Sequence, residues 1–179
     1  RVSPALVLKD SAIAEVSGVT NAIAIEGDFS GSILLVGAGA GAKPTASAVA
    51  GDILDIARGL IVPPFVTPVA KLKPHKRAKL DQHYGSYYVR LALYDKPGAM
   101  AAVAKSMGDQ GISLESIVQH RPQTLHAPRT APQRSKDKAQ PVIIITHETT
   151  EEAMRKALAA IEKDGNVTEI PQMIRIEEL

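Results

Sequence analysis

The sequence contains no cysteine, no tryptophan and few aromatic residues, and each shortage excludes a class of function. Without cysteine the chain has no disulfides, no thiolate metal ligands and no cysteine nucleophile. Aromatic residues make up 3% of the chain, too few for the stacking platforms that bind single-stranded nucleic acids. No apolar run reaches the roughly 18 residues that a membrane-spanning helix needs. We therefore expect a protein of the cytoplasm with neither a membrane nor a nucleic acid as its partner.

The composition is otherwise that of a globular protein, with 179 residues, 45% hydrophobic and 22% charged. The net charge of +2 conceals two proline-rich stretches, 61–85 and 121–140, each with five basic residues and one aspartate. We interpret both as solvated connectors. Clustered basic residues also suit phosphate binding, but no nucleic-acid recognition motif accompanies them. The chain starts at Arg1 rather than methionine, so we expect a piece of a longer protein.

The first connector separates two dissimilar parts, residues 1–60 and residues 86–179. In the first part, alternating apolar residues predict strands at 21–26 and 32–36, joined by a turn into a hairpin. A helix is predicted from Pro44 to about Gly59, and Ser11 is expected to cap a helical turn over 12–16. Two strands and one helix cannot close a core. This part must therefore pack against something outside the chain or against a second copy.

The second part has the periodicity of a complete small domain. The patterns predict a strand, a helix, two strands, a helix capped by Thr149 with Glu152, and a last strand. These strands are expected at 87–93, 112–118, 142–146 and 173–176. The fold class is therefore α+β: a ferredoxin-like βαββαβ module, preceded by a partial α/β segment made of a strand pair and a helix.

A glycine-rich loop, Gly37-Ala-Gly39-Ala-Gly41, precedes the helix of the first part. Glycine allows the backbone to approach a ligand closely, and the helix N-terminus offers unpaired N–H groups to an anion. The spacing is neither G-x-G-x-x-G nor a P-loop. From the residues alone, a nucleotide contact and a tight strand-to-helix connection are both open.

The first part resembles homoserine dehydrogenase over most of residues 2–60. The resemblance lies in Val19-Thr-Asn-Ala22, Glu26-Gly-Asp-Phe29, the glycine-rich loop with Pro44-Thr-Ala-Ser-Ala-Val49, and Asp52-Ile-Leu-Asp-Ile56-Ala-Arg-Gly59. It implies the end of a catalytic, dimer-forming domain that interconverts L-homoserine and L-aspartate 4-semialdehyde with NAD or NADP. Gly39 and Gly41 would then line the nicotinamide end of the cofactor pocket. The family's Rossmann fingerprint and catalytic lysines would lie before Arg1, so we assign no catalytic residue.

Asp95-Lys-Pro-Gly98 joins the first strand and the first helix of the second part. Proline presets a helical φ, glycine leaves N–H groups accessible to a carboxylate, and Asp95 is able to cap the turn. A plain capped turn and a carboxylate site are both compatible with this spacing.

The second part resembles an ACT domain, a small regulatory module that binds amino acids. The resemblance lies in Asp95-Lys-Pro-Gly-Ala-Met100, Gly111-Ile-Ser-Leu-Glu115-Ser-Ile-Val-Gln119 and the run at 142–146. It implies sheets that pair between subunits of a homo-oligomer, a dimer or tetramer, with threonine as the expected effector and the linker as the relay to the catalytic part. The effector would contact Asp95, Pro97, Gly98, Ala99, Met100, Ile112 and Ser113.

The expected organisation is thus a catalytic segment (1–60), a linker (61–85) and an ACT domain (86–179). A stand-alone amino-acid sensor is the alternative. The five histidines, at positions 75, 83, 120, 126 and 147, lack metal-ligand spacing, so no metal site is expected.

Overall fold

The computed structural model describes residues 2–60, 65, 67–74, 83–119 and 139–178. Most of the basic residues of both connectors, together with His75, His120 and His126, lie outside this part. The chain divides into two compact units. The first, the sheet unit, comprises residues 1–6 and 79–178, and the second, the hairpin unit, comprises residues 7–78.

Eight strands and three α-helices follow one another along the described chain. In order they are β1 (Ala5–Val7), β2 (Thr20–Gly27), β3 (Gly31–Ala38), α1 (Ala42–Ala57), β4 (Tyr84–Tyr94), α2 (Ala99–Gly108), β5 (Leu114–Gln119), β6 (Ala139–Thr146), β7 (Thr149–Thr150), α3 (Glu151–Lys163) and β8 (Gln172–Glu177). Short 3₁₀ turns occupy Ala12–Glu15 and Val69–Lys71. No helix in the described ranges has both the length and the apolar character that crossing a bilayer requires.

The strands of the sheet unit lie in the order β1-β8-β4-β6-β5, with β7 paired to the start of β4. The four strands predicted from the second part of the sequence thus take the order fourth-first-third-second, and β4 pairs antiparallel with both β6 and β8. A helix follows the first and the third of these strands. This is the ferredoxin-like βαββαβ arrangement, and the prediction is confirmed.

The core of the sheet unit lies between its sheet and its two helices. Alternate residues of β4 are buried because successive side chains of a strand point to opposite faces. They pack with one stripe from each helix and with residues of β6. The fully buried members are Tyr87, Val89, Leu91, Val103, Met107, Val142, Ile144, Met154, Ala157 and Ile161.

Local details depart from the sequence predictions at three helix or strand ends. Ser11 does not cap its 3₁₀ turn, because its hydroxyl donates back to the carbonyl of Leu8 at 2.8 Å. The cap of α3 is Thr150, which accepts from the N–H of Ala153 at 3.2 Å, whereas Thr149 pairs with Gly85. The predicted N-cap of α3 was therefore wrong by one residue, because Thr149 is paired with β4 as part of a strand.

The second strand of the module begins two residues later than predicted, at Leu114. Ile112 is buried and donates its N–H to the carbonyl of Met107 at 3.1 Å, so it closes the end of α2 instead. Gly111, with φ of 70°, makes this reversal possible.

The hairpin unit contains the predicted strand pair and helix. Strands β2 and β3 pair antiparallel from Thr20 opposite Ala38 to Gly27 opposite Gly31. Helix α1 has no buried residue, and its apolar side chains are exposed together with those of the strands. The examples include Ile23, Leu35, Val49, Ile53 and Ile56. An apolar surface of this kind is typical of an element that packs against further structure.

Candidate functional site

The turn after β4 presents unpaired backbone donors at the start of α2. Gly98 has φ of 86°, a left-handed conformation that favours glycine, and it is the N-cap of the helix. The N–H of Ala99 donates to the carbonyl of Lys96 at 3.2 Å, and that of Ala102 to the carbonyl of Gly98 at 3.0 Å. Among the described residues, the N–H groups of Met100 and Ala101 have no such acceptor. These two groups and the helix dipole suit an anion.

The side chain of Asp95 makes no capping bond to α2, so the expectation that it caps the turn is wrong. The helix instead begins at a glycine, which has no side chain that could compete with a ligand for the free N–H groups. Lys96 places its ammonium 5.6 Å from the ring centre of Tyr94. A positive charge therefore lies beside the turn, at a distance typical of a cation–π contact.

The predicted effector residues differ in what they can offer a ligand. Pro97, Gly98 and Ser113 are exposed, whereas Ala99 and Ile112 are core residues with 2% and 5% exposure. Met100 is half-buried and packs against the same core. The side chains of Ala99 and Ile112 are therefore packed in the core, and the turn can contact a ligand mainly through its backbone.

Within one chain, the two groups of predicted effector residues lie at opposite ends of the sheet. Leu114, the first residue of β5, is opposite Thr146, whereas Tyr94, just before the turn, is opposite Ala139. Seven residue steps of β6 separate the two levels, about 23 Å at the usual rise of a strand. A single copy therefore does not bring residues 95–100 together with residues 112–113.

The glycine-rich loop leads from β3 into α1 and leaves similar donors open. Gly41, with φ of 129°, is the N-cap of α1, and its carbonyl accepts from the N–H of Thr45 at 3.1 Å. Pro44 has no N–H to offer. In the described structure, the N–H groups of Ala42 and Lys43 have no backbone acceptor. The loop can therefore receive an anionic or carbonyl group at the helix N-terminus.

Gly39 lies so close to a side chain of the other strand of the hairpin that a side chain at position 39 would require Asn21 to shift. A Cβ atom there would overlap the side-chain amide of Asn21. The amide nitrogen of Asn21 in turn donates to the carbonyl of Val19 at 3.3 Å. The close approach gives Gly39 a structural role that exists whether or not a nucleotide binds nearby.

A buried charge cluster at the start of α3 was not predicted from the sequence. Glu151 has a side chain 1% exposed, and its Oε1 accepts from Nε and Nη2 of Arg155 at 3.0 and 2.6 Å. Its Oε2 accepts from Nη2 of Arg175 on β8. Burial acts to raise the pKa of Glu151, but the hydrogen bonds and charges of Arg175 and Arg155 together outweigh it and lower the pKa to about 2.

Two further polar contacts lie beside this cluster. Nδ1 of His83 lies 3.0 Å from the hydroxyl of Tyr87, and Nε2 lies 3.4 Å from Oε1 of Glu177. Burial, with the negative charge of Glu151, raises the pKa of Tyr87. The cluster thus ties α3, β8 and the start of β4 together. Its sequence signal was the i, i+4 spacing of Glu151 and Arg155, whereas the approach of Arg175 depends on the fold.

A small cavity of about 110 Å³ adjoins the cluster, lined by Ser3, Pro4, Glu151, Met173, Ile174 and Arg175. A cleft of about 330 Å³ lies in the hairpin unit between the first 3₁₀ turn and the two strands. Across the described ranges, no three His, Asp or Glu side chains come close enough together to hold a metal ion.

Comparison with known proteins finds similarity to homoserine dehydrogenases along the whole chain. The family model of homoserine dehydrogenase matches residues 1–54. The homoserine dehydrogenases of Pseudomonas aeruginosa and Neisseria gonorrhoeae are 35% and 34% identical to the chain over 185 residues, covering all of it and 40% of each relative. The chain thus spans about two fifths of the length of these curated relatives.

Solved structures give the same relation. The crystal structure of a homoserine dehydrogenase from Thiobacillus denitrificans covers 98% of this chain with a TM-score of 0.77 and 30% identity, and 38% of that chain is matched. The structure of S. aureus homoserine dehydrogenase at pH 7.0 covers 97% with a TM-score of 0.50 and 21% identity, which supports the fold alone. The resemblance to homoserine dehydrogenase seen in the sequence is thereby confirmed, and the chain is similar over nearly its whole length to a part of these enzymes.

Proposed function

We propose that this chain is the C-terminal part of an NAD(P)-dependent homoserine dehydrogenase, which interconverts L-homoserine and L-aspartate 4-semialdehyde in threonine and methionine biosynthesis. The observation that supports it is the similarity of both units, in sequence and in structure, to enzymes of that name. We assign the described residues a role in cofactor positioning and regulation rather than in hydride transfer.

In this proposal the hairpin unit completes the catalytic domain. Gly39 and Gly41 line the nicotinamide end of the cofactor pocket, where the open N–H groups of Ala42 and Lys43 favour a carbonyl or anionic group. The exposed apolar side chains of α1 and the hairpin are covered by the rest of the enzyme. Burying a Leu or Ile side chain contributes about 1.5–3 kcal/mol, so such cover would add substantially to stability.

The sheet unit, we propose, is an amino-acid-binding regulatory domain of the ACT type, with threonine as the effector. The effector carboxylate accepts from the N–H groups of Met100 and Ala101. Gly98 keeps the approach open, since nothing lies within 4 Å of the position where its Cβ would be. Asp95, Pro97 and the nearby carbonyl groups surround the remainder of the ligand.

A second copy of the chain completes this site. Strand β5 is at the end of the strand order, and its Ile117 and Val118 are 46% and 42% exposed. Antiparallel pairing of two copies of β5 about a twofold axis places the start of one beside the end of the other. Ile112 and Ser113 of one copy then reach the end of the sheet where the 95–98 turn of its partner lies.

The catalytic proposal is tested with the complete reading frame that contains this chain. The purified enzyme is expected to oxidise NADPH or NADH, followed by absorbance, only when aspartate semialdehyde is present. A folded enzyme that shows no semialdehyde-dependent oxidation of either cofactor would contradict it.

The regulatory proposal is tested by calorimetric titration of threonine into this chain. Gly98→Asp adds a carboxylate beside the free N–H groups and is expected to abolish binding. Gly165→Asp is the matched control, because Gly165 also has positive φ and open space at its Cβ but follows α3. Equal binding by wild type and Gly98→Asp, or no saturable binding by wild type, would contradict the site.

A further inference from the structure

Strand β1 is part of the larger sheet, and its first two residues, Ala5 and Leu6, belong to the sheet unit, whereas its last residue, Val7, is the first of the hairpin unit. It lies beside β8 at the edge of the sheet, and Ser3 and Pro4 line the same cavity as residues 173–175. The boundary between the units falls between Leu6 and Val7. The polypeptide therefore joins the two units twice, once at Val7 and once through residues 59–83.

The connection that starts at Val7 is a succession of hydrogen-bonded turns. The carbonyl of Leu8 accepts from both the N–H and the hydroxyl of Ser11, at 3.1 and 2.8 Å. The N–H of Val16 donates to Ile13 at 3.3 Å, and that of Thr20 to Ser17 at 3.3 Å. Ser11 is 8% exposed, so its two hydrogen bonds to the carbonyl of Leu8 are shielded from water.

This connection leads to the glycine-rich loop through paired strands. Thr20 begins β2, which pairs along its whole length with β3. Strand β3 ends at Ala38, one residue before Gly39. From Leu8 to the proposed cofactor loop the chain is therefore hydrogen-bonded through turns and paired strands, whereas the other connection contains four prolines between residues 63 and 74.

The attachment of β1 to the sheet is marginal. The strand has three residues at the outer edge, and Leu6 is 40% exposed. Short exposed edge elements open at low free-energy cost. The affinity changes typical of allosteric coupling, about 5- to 150-fold, are large enough to shift such an equilibrium.

We infer that β1 is a detachable strand whose docking on β8 couples effector binding in the sheet unit to the glycine-rich loop through residues 8–19. The inference rests on the proposed function, because it needs an effector. Strand β4 ends at the effector turn and pairs with β8 from Ser86 to Arg90, so a ligand that fixes β4 also fixes the edge on which β1 docks. The effector must bind the docked and released states with different affinity.

The test uses hydrogen–deuterium exchange on the full chain and a variant that releases β1. The double variant Ala5→Pro/Leu6→Pro removes donors from both sides of the strand, since successive N–H groups point in opposite directions. Val2→Pro is the control, because Val2 is fully exposed and precedes the strand. Without effector, amides of β8 are expected to exchange at least about tenfold faster in the double variant, whereas β6, paired on both sides, is unchanged. Unchanged β8 exchange would overturn the inference.

The coupling is read with threonine added. In wild type and Val2→Pro, threonine is expected to change exchange in residues 20–38. In the double variant, which holds only the released state, calorimetry is expected to give a threonine Kd at least about fivefold different from that of wild type. Saturating threonine is expected to cause no exchange change in residues 20–38 of this variant. A Kd within about twofold of wild type would overturn the inference. A change that persists there assigns the relay to residues 59–83 and overturns the inference. Absence of threonine binding by wild type would instead refute the proposed effector, and with it the relay. The docking of β1 on β8 would still be tested by the exchange measured without effector.

Discussion

Replacing Glu151 with glutamine removes a buried negative charge and leaves the side-chain shape unchanged. Arg155 and Arg175 then face a neutral amide in a site where the native side chain is 1% exposed. The pKa of Glu151 is lowered from 4.5 to about 2, which corresponds to about 3 kcal/mol of stabilisation of the folded, ionised state. We expect Glu151→Gln to lower the free energy of unfolding of the sheet unit by about 2–3 kcal/mol at pH 7.

The same substitution predicts a specific dependence on pH. The pKa of Glu151 is lower in the folded state than in the unfolded state, so its stabilisation is complete above the unfolded value of 4.5. It is lost as the pH falls through the folded value of about 2. The stability difference between wild type and Glu151→Gln is therefore expected to shrink from about pH 5 downwards, to less than half by about pH 3.

Urea unfolding followed by near-UV circular dichroism of tyrosine measures this difference. All four tyrosines lie in β4 and tryptophan is absent, so the signal reports the sheet unit. Glu152→Gln is the control: Glu152 is 56% exposed and pairs with Lys156, so its loss should cost at most about 1 kcal/mol. A difference for Glu151→Gln that stays constant from pH 7 to pH 2.5, or one no larger than the control's, would refute the electrostatic argument.

Three further predictions concern glycine and the sheet edge. Gly98→Ala should lower the free energy of unfolding in urea by about 1 kcal/mol because of its φ of 86°. Gly108→Ala, at the last residue of α2 with open space at its Cβ, should be neutral or stabilising, and the reverse order would contradict the backbone argument. Gly39→Ala should speed amide exchange in β2, and adding Asn21→Ala should restore it; no rescue would show that the overlap is not the cause. Ile117→Lys should shift sedimentation towards the monomer, and an unchanged oligomer would argue against pairing through β5.

The order of elements followed from local patterns, and so did the family resemblance. The alternation in β4 and the helical stripes of α2 and α3 record burial on one face, so periodicity alone identified the βαββαβ module. The cap of α3 shows the limit of such reasoning. Thr149 and Thr150 both suit an N-cap, and the pairing of Thr149 with Gly85 decided between them.

What lies far apart in the chain was decided by the tertiary structure. Residues 5–7 are too few to show the alternation that identifies a strand in a sequence. They form β1 because they lie beside the edge of β8. The approach of Arg175 to Glu151, and the distance between the 95–98 turn and residues 112–113, likewise depend on strand order and register. Sequence periodicity reports which face of an element is buried, because the buried positions recur at the fixed spacing of a helix or a strand. The partner of each face and edge is set by packing of the whole chain, which only the folded structure contains.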